Sequence, residues 1–207
     1  MNIYDWGGAG GRWITNFSSI CTSSDGGITW QDQRDRVRFD TDSHFGEIAY
    51  AKKDGSVYML GTYPGRCSGA YLGRFKEEDV LEQSRYQYWD GSGWVADESA
   101  AIPVIEGPVG EASLIWHKPS KRWIYIYTYD GHYDHGAAMS EKNALLYNST
   151  ADITSWTDER RLLASHKDYP ILYGCFIHPL SANSNTLWLN VSQWMPYNVF
   201  LMSVDVK

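Results

Sequence analysis

The chain has 207 residues, a formal net charge of −7, and 43% hydrophobic and 15% aromatic residues, including ten Trp and fifteen Tyr. That is enough to bury one sizeable core, and too apolar for a disordered chain. The acidic balance, with no concentrated basic face, excludes a phosphate-backbone partner, and no apolar run approaches the ~20 residues of a membrane span.

In chain order, Met1-Asn2-Ile3-Tyr4-Asp5 lacks the charged and apolar regions of a signal peptide. Asn2 to Trp6 and Ser18 to Thr22 read as strands. Between them Gly7-Gly8-Ala9-Gly10-Gly11 opens no helix, so it is neither a phosphate cradle nor a dinucleotide fingerprint. Ser23-Ser24-Asp25-Gly26-Gly27-Ile28-Thr29-Trp30 fits the Asp-box pattern Ser-x-Asp-x-Gly-x-Thr-Trp at every fixed position. In such a turn the Asp bonds its own backbone, Gly accepts positive φ, and the Trp is expected to fold back and plug the blade.

A four-stranded unit follows from periodicity and breakers. Its strands are Glu47 to Ala51, Val57 to Thr62, Ala70 to Arg74 and Tyr86 to Trp89, with one helical turn expected over Glu77-Glu78-Asp79-Val80-Leu81-Glu82. The next unit has strands Ala112 to Trp116, Trp123 to Tyr129 and Ala144 to Tyr147. The last has Phe176 to His178, Leu187 to Ser192 and Asn198 to Val206, with no fourth strand. Weaker Asp-box-like turns stand at Asp90-Gly91-Ser92-Gly93-Trp94 and at Ser149 to Trp156.

These units repeat. Gly46, Gly110 and Gly174 recur every 64 residues, each opening an inner strand, and Trp30, Trp94 and Trp156 follow at intervals of 64 and 62. Short β-rich units at this period define an all-β β-propeller with four-stranded antiparallel blades, about three and a half of them present. The chain reads as a single domain over residues 1–207 that opens mid-blade. Such a stack is expected to be N-terminally incomplete or completed by a partner, because an open stack exposes strand edges.

The residues also resemble a known family. Gly65-Arg66, Tyr71-Leu72-Gly73-Arg74, Tyr86-Gln87-Tyr88-Trp89-Asp90-Gly91 and Gly107-Pro108-Val109-Gly110-Glu111-Ala112-Ser113 carry the resemblance. So do Tyr173-Gly174 with His178-Pro179, and Ser192-Gln193-Trp194 with Pro196-Tyr197-Asn198-Val199. They are similar to a domain-of-unknown-function family of five-bladed propellers that includes endo-D-arabinanases. The resemblance implies a secreted carbohydrate-active propeller with its site at the central channel. The aspartates proposed as catalytic in that family precede the segment this chain resembles, so none is carried over.

Glycoside hydrolysis needs two carboxyl groups flanking the scissile bond, ~5 Å apart for retention and ~6.5 to 9.5 Å for inversion. Glu111 and Glu47 begin neighbouring inner strands and are the candidate catalytic pair. The competing reading is that each ties one blade to the next through Arg66, Arg74 or backbone amides. Cys175 at the third equivalent position shows that the repeat itself does not demand an acid.

Arg66, at a turn mouth, is a candidate to hydrogen-bond a sugar or orient a carboxylate, against an exposed loop arginine. His178 is a candidate proton donor or sugar contact, against a structural histidine. Gln193, Trp194, Tyr197 and Asn198 form a polar and aromatic cluster suited to stacking and amide recognition. The resemblance moves Trp194 toward function and leaves Trp30, Trp94 and Trp156 as architecture.

His132-Tyr133-Asp134-His135 lacks further ligands at metal-site spacing, so neither a metal nor another cofactor is expected. Cys21, Cys67 and Cys175 are odd in number and widely spaced, and read as buried free thiols. Three sequons, at Asn16, Asn148 and Asn190, lean toward a secreted glycoprotein.

The expected function is a glycoside-hydrolase-like propeller acting on arabinan or a related furanose-rich polysaccharide. A non-catalytic carbohydrate-binding propeller, a truncated inactive family member and a cytosolic protein-interaction propeller are the alternatives.

Overall fold

The computed structural model describes residues 2–5, 14–130, 142–157, 159–195 and 197–206. Eighteen strands account for its order: β1 (Asn2–Asp5), β2 (Ile14–Ser19), β3 (Cys21–Thr22), β4 (Gln31–Asp32), β5 (Arg38–Asp40), β6 (Glu47–Lys53), β7 (Ser56–Thr62), β8 (Ser68–Lys76), β9 (Gln87–Trp89) and β10 (Trp94–Val95). They continue as β11 (Pro103–Val109), β12 (Ala112–His117), β13 (Arg122–Asp130), β14 (Lys142–Thr150), β15 (Glu159–Ala164), β16 (Leu172–Ile177), β17 (Thr186–Gln193) and β18 (Val199–Asp205). Helix among the described residues is confined to short 3₁₀ turns, one of which, Glu77–Asp79, falls within the expected acidic segment.

All pairings are antiparallel. The first sheet runs β1-β2-β5, the second β10-β9-β8-β7-β6 with β11 also on β8, the third β12-β13-β14-β15, and the fourth β16-β17-β18. A separate hairpin, β3-β4, carries the turn at residues 23–30. The result is an all-β, propeller-like succession of sheets.

The period-2 pattern of β13 shows how the sheets stack. Trp123, Tyr125, Tyr127 and Tyr129 point to one face and pack with Leu60, Leu72 and Ile105 of the second sheet. Ile124 and Ile126 point to the other and pack with Leu187, Leu189 and Val191 of the fourth. A strand buried on both faces thus carries aromatic side chains toward one neighbour and aliphatic ones toward the other. A further cluster, including Phe39, Phe45, Met59 and Tyr88, joins the first sheet to the second.

The stacking stops at the fourth sheet. Its inner face is buried, but Phe176, Trp188, Val199 and Leu201 on the opposite face are 51, 41, 71 and 63% exposed.

Several sequence expectations are corrected. Trp156 is buried and Trp94 packs against Tyr58 and Trp89, but Trp30 is 63% exposed and plugs nothing. Its turn is nonetheless well formed. Asp25 accepts from the Ile28 and Thr29 amides at 3.1 and 3.0 Å, and Trp30 Nε1 donates to the Gly27 carbonyl at 3.0 Å. Trp156 Nε1 repeats that bond on Ile153 at 2.8 Å.

Cys21 and Cys67 are exposed, against the expected buried thiols, because each lies outside the packed faces of the main sheets. The Asn148 sequon is 2% exposed within β14, whereas Asn16 and Asn190 are exposed. β11 and β15 were not anticipated. The segments Gly7 to Gly11 and His132 to His135 lie outside the described residues.

Candidate functional site

The innermost strands β6, β12 and β16 lie side by side, and the glycines that precede the first two have a steric cause. Gly46 N–H donates to the Thr62 carbonyl at 3.0 Å, and Gly110 N–H to the Thr128 carbonyl at 2.8 Å. A Cβ on Gly46 would meet Pro64 Cγ at 2.6 Å; one on Gly110 would meet the Thr128 carbonyl oxygen at 3.1 Å and press still closer on its hydroxyl. Neither position has room for a side chain, so glycine recurs there.

The residue after each glycine points into the zone where the inner strands meet. Glu111 is bonded at both oxygens. Oε1 accepts from Arg66 Nε at 3.1 Å and also from Nη2, while Oε2 accepts from the Thr128 hydroxyl at 2.9 Å. Arg66, 8% exposed, also donates from Nη2 to the Tyr173 carbonyl at 3.2 Å and lies 4.9 Å over that ring. Its planar fork suits this multiple contact.

Glu47 sits differently. It lies opposite Thr62 in the β6–β7 register and accepts from the Gly65 amide at 3.3 Å. Burial pushes its carboxyl up to about 7, against the opposing pull of the Gly65 N–H; the nearby Glu111 charge adds to the rise and Arg66 opposes it. Two carboxyl groups therefore share one site in unlike surroundings, one ion-paired and one desolvated.

Between them is a cavity of about 210 Å³ lined by Glu47, Leu60, Thr62, Gly110, Glu111 and Tyr125, among others. It shares Ile48, Ala49 and Ala112 with a groove of about 570 Å³ that runs along the inner strands past Tyr50, Lys52, Trp116 and Phe176. Cys175, third in the repeat, directs its thiol to the Ile126 carbonyl at 3.3 Å, and burial raises its pKa, which leaves it a poor nucleophile.

The remaining candidates divide. Trp194 lies between Tyr173 and Tyr197, at centroid distances of 5.3 and 4.9 Å, and these three rings are 42, 39 and 69% exposed. Through Tyr173 they join Arg66 and the acid pair. Gln193 instead spends its side-chain amide on the Pro170 carbonyl at 3.0 Å, and its backbone N–H bonds the carbonyl of Asn198. His178 is not in the cavity. It caps the 3₁₀ turn Pro179–Asn183, its Nδ1 accepting from the Leu180 amide at 3.3 Å, at the far end of β16 from Tyr173. Among the described residues no group of three or more His, Cys, Asp or Glu is placed to hold a metal ion.

Sequence reasoning missed Thr62, Thr128, Tyr125 and Tyr173. A signal for the first two was present: at or near its end each second strand carries a hydroxyl residue, Thr62, Thr128 and Ser192.

Fold and site together define an all-β, propeller-like protein with an acid-lined cavity where its inner strands converge. The chain belongs to the family described as domain of unknown function DUF4185, whose sequence model matches residues 1–203. It is 24% identical over 189 residues to notoamide biosynthesis cluster protein J' of Aspergillus versicolor, covering 88% of this chain and 49% of that protein. It is likewise 24% identical over 187 residues to notoamide biosynthesis cluster protein J of Aspergillus sp. (strain MF297-2), covering 88% and 48%. The chain thus spans about half the length of these curated relatives. A crystal structure from Bacteroides ovatus ATCC 8483, of a protein assigned only provisionally as a hydrolase, superposes with a TM-score of 0.55 at 12% identity. That match covers 90% of this chain and 53% of the other, and the likeness is one of fold.

Proposed function

We propose that this chain is part of a glycoside-hydrolase-like propeller of the five-bladed kind, secreted, that acts on arabinan or a related furanose-rich polysaccharide at the Glu47–Glu111 cavity. The observation that supports the reading is the pair of carboxyl groups at one cavity with opposite environments. A carboxyl whose proton affinity burial raises, beside one bound by an arginine, is suited to acid and base roles. Glu47, raised to about 7, keeps a proton near neutrality. It donates that proton to the glycosidic oxygen as the bond to the anomeric carbon breaks. Glu111, held by Arg66 and Thr128, takes the proton of the water that attacks the anomeric carbon. Glu111 then releases its proton to solvent and Glu47 takes one up, which restores the starting pair.

The exposed Tyr173, Trp194 and Tyr197 rings favour a second reading, in which the propeller binds sugar by stacking and cleaves nothing. Release of reducing ends from arabinan separates the two. Hydrolysis lost in both Glu111→Gln and Glu47→Gln supports the enzyme. Binding without turnover in the parent chain and in both variants overturns it in favour of the stacking platform.

A further inference from the structure

The acid pair occupies one end of the inner strands. Lys53 closes β6 at the other end, about 20 Å from Glu47 at the rise of a strand. There a cleft of about 280 Å³ lies between the second and third sheets, lined by Lys53, Tyr58, Arg74, Trp94, Trp123 and the turn at residues 151–154. Tyr58 meets Trp123 edge-on at 4.8 Å and Trp94 at 6.4 Å. Trp123 is a buried floor, whereas Tyr58 and Trp94 are half-buried and keep surface within reach of a ligand.

Two cations are seated on indole rings at this cleft. Lys53 Nζ lies 3.9 Å from the Trp116 centroid and 5.7 Å from that of Trp123, and the Arg74 guanidinium lies 3.9 Å over Trp94. Their charges are poorly answered. Arg74, itself half-buried, spends Nε on the neutral Gln87 Oε1 at 3.0 Å and pairs with no carboxylate among the described residues. Lys53 has only the largely exposed Asp54, at 4.0 Å.

Beyond the cleft the positive charge continues. A space of about 120 Å³ shares Arg74 with it and is lined also by Ser56, Lys76, Arg85 and Gln87, with no acid in the lining among the described residues. Lys76 Nζ donates to the Ser56 hydroxyl at 3.1 Å, while Arg85 pairs with Asp79 at 2.9 Å. Of the other acids nearby, Glu77 is engaged by Lys52 and Glu78 lines neither space. Asp152, the acid in the cleft's own lining, accepts from the Thr154 amide and hydroxyl at 3.0 and 2.8 Å. In a chain of net charge −7, this is a local concentration of cations at a concave aromatic surface, which favours an anion.

The chemistry narrows the ligand. A guanidinium with free Nη groups matches a carboxylate through its planar fork, and aromatic walls take the apolar face of a sugar ring. The volume lies near the roughly 300 Å³ at which ligand pockets begin, which suits one ring. We propose that the cleft is a second binding site, for one acidic sugar residue of the uronic acid class, its carboxylate on Arg74 and Lys53 and its ring against Tyr58 and Trp94. The choice of a sugar as the carrier rests on the carbohydrate reading above; the anion preference does not, and neither needs catalysis at Glu47 and Glu111.

The test is binding of methyl glucuronide to the chain by ligand-observed NMR, beside methyl glucoside and acetate. The uronide is expected to bind about tenfold tighter than either, and added salt should weaken it. Arg74→Gln is expected to weaken uronide binding about tenfold and Lys53→Gln about threefold, while Arg74→Lys, which keeps the charge and most of the packing, retains part of it. Overturning results are no uronide binding by the parent, equal binding of uronide and glucoside, or acetate binding as tightly as the uronide, since the ring would then contribute nothing. A lowered melting temperature of Arg74→Gln with unchanged uronide affinity would reduce Arg74 to a packing residue and overturn the site as well. If the uronide binds in an Arg74-dependent way and arabinan stays intact, the site stands and the hydrolase falls. If arabinan is hydrolysed and the uronide does not bind, the hydrolase stands and the site falls.

Discussion

Glu47 is the residue whose environment departs furthest from what its type prefers. A carboxyl raised from 4.5 to about 7 by burial keeps its proton in the native state over a range where the unfolded chain has released it. The native state then binds more protons, so stability falls as pH rises. The contribution is fully present below about 4.5 and is lost as pH passes through about 7. The size expected is about 1–3 kcal/mol, a partial value because the cavity admits water. Urea unfolding at intervals across that window measures it, and Glu47→Gln should flatten the profile. A variant with the parent's slope would show that the proton resides elsewhere. The sequence placed Glu47 at the site through the repeat, but not its protonation, which depends first on burial by the packed sheets and then on the opposing pulls of Gly65, Glu111 and Arg66.

At the scale of elements, two turns with the same local chemistry have unlike energetic weight. Both end in a Trp whose Nε1 bonds a carbonyl three residues back, yet Trp156 packs 6.0 Å from Tyr125 in the core between the second and third sheets. Trp30 lies mostly in solvent on the β3–β4 hairpin. Trp156→Ala is therefore expected to lower stability by about 3–5 kcal/mol and Trp30→Ala by no more than about 0.5 kcal/mol, both read from chemical denaturation. Equal losses would mean that Trp30 is covered after all.

The contrast shows where sequence reading reaches its limit. The Asp25 turn was legible because its bonds close within a few residues, and the second strands β7 and β13 were legible because both faces are buried. Whether Trp30 finds a neighbour is decided by another sheet. β11 was hidden by Pro103 and Pro108, which an edge pairing with shifted register tolerates. β15 was hidden by Glu159, Arg160 and Arg161, charges that suit a sheet edge. At the site, Glu47 and Glu111 came together as their spacing implied, with Arg66 bonded to Glu111, whereas His178 was drawn away by a bond within its own turn and Gln193 by the distant Pro170 carbonyl.

For the whole molecule, the stacked sheets meet along apolar faces, but at the open ends of their inner strands one side chain links three of them. Arg66 follows β7 of the second sheet, bonds Glu111 at the start of the third, and reaches the Tyr173 carbonyl and ring in the fourth. The fourth sheet depends on this link more than the others do, since its outer face is uncovered and only one of its faces packs. Arg66→Ala is expected to cost about 1–3 kcal/mol, the value of hydrogen bonds to a charged group in a partly exposed pair. Arg66→Lys should recover only part, because an ammonium cannot span both partners with a fixed fork. The loss should also be local. Hydrogen exchange followed by mass spectrometry should quicken in β16, β17 and β18 while β13, buried on both faces, stays protected. Uniform acceleration across all sheets would mean that the stack unfolds as one unit. In that case Arg66 acts on the whole fold rather than as the latch of its last sheet.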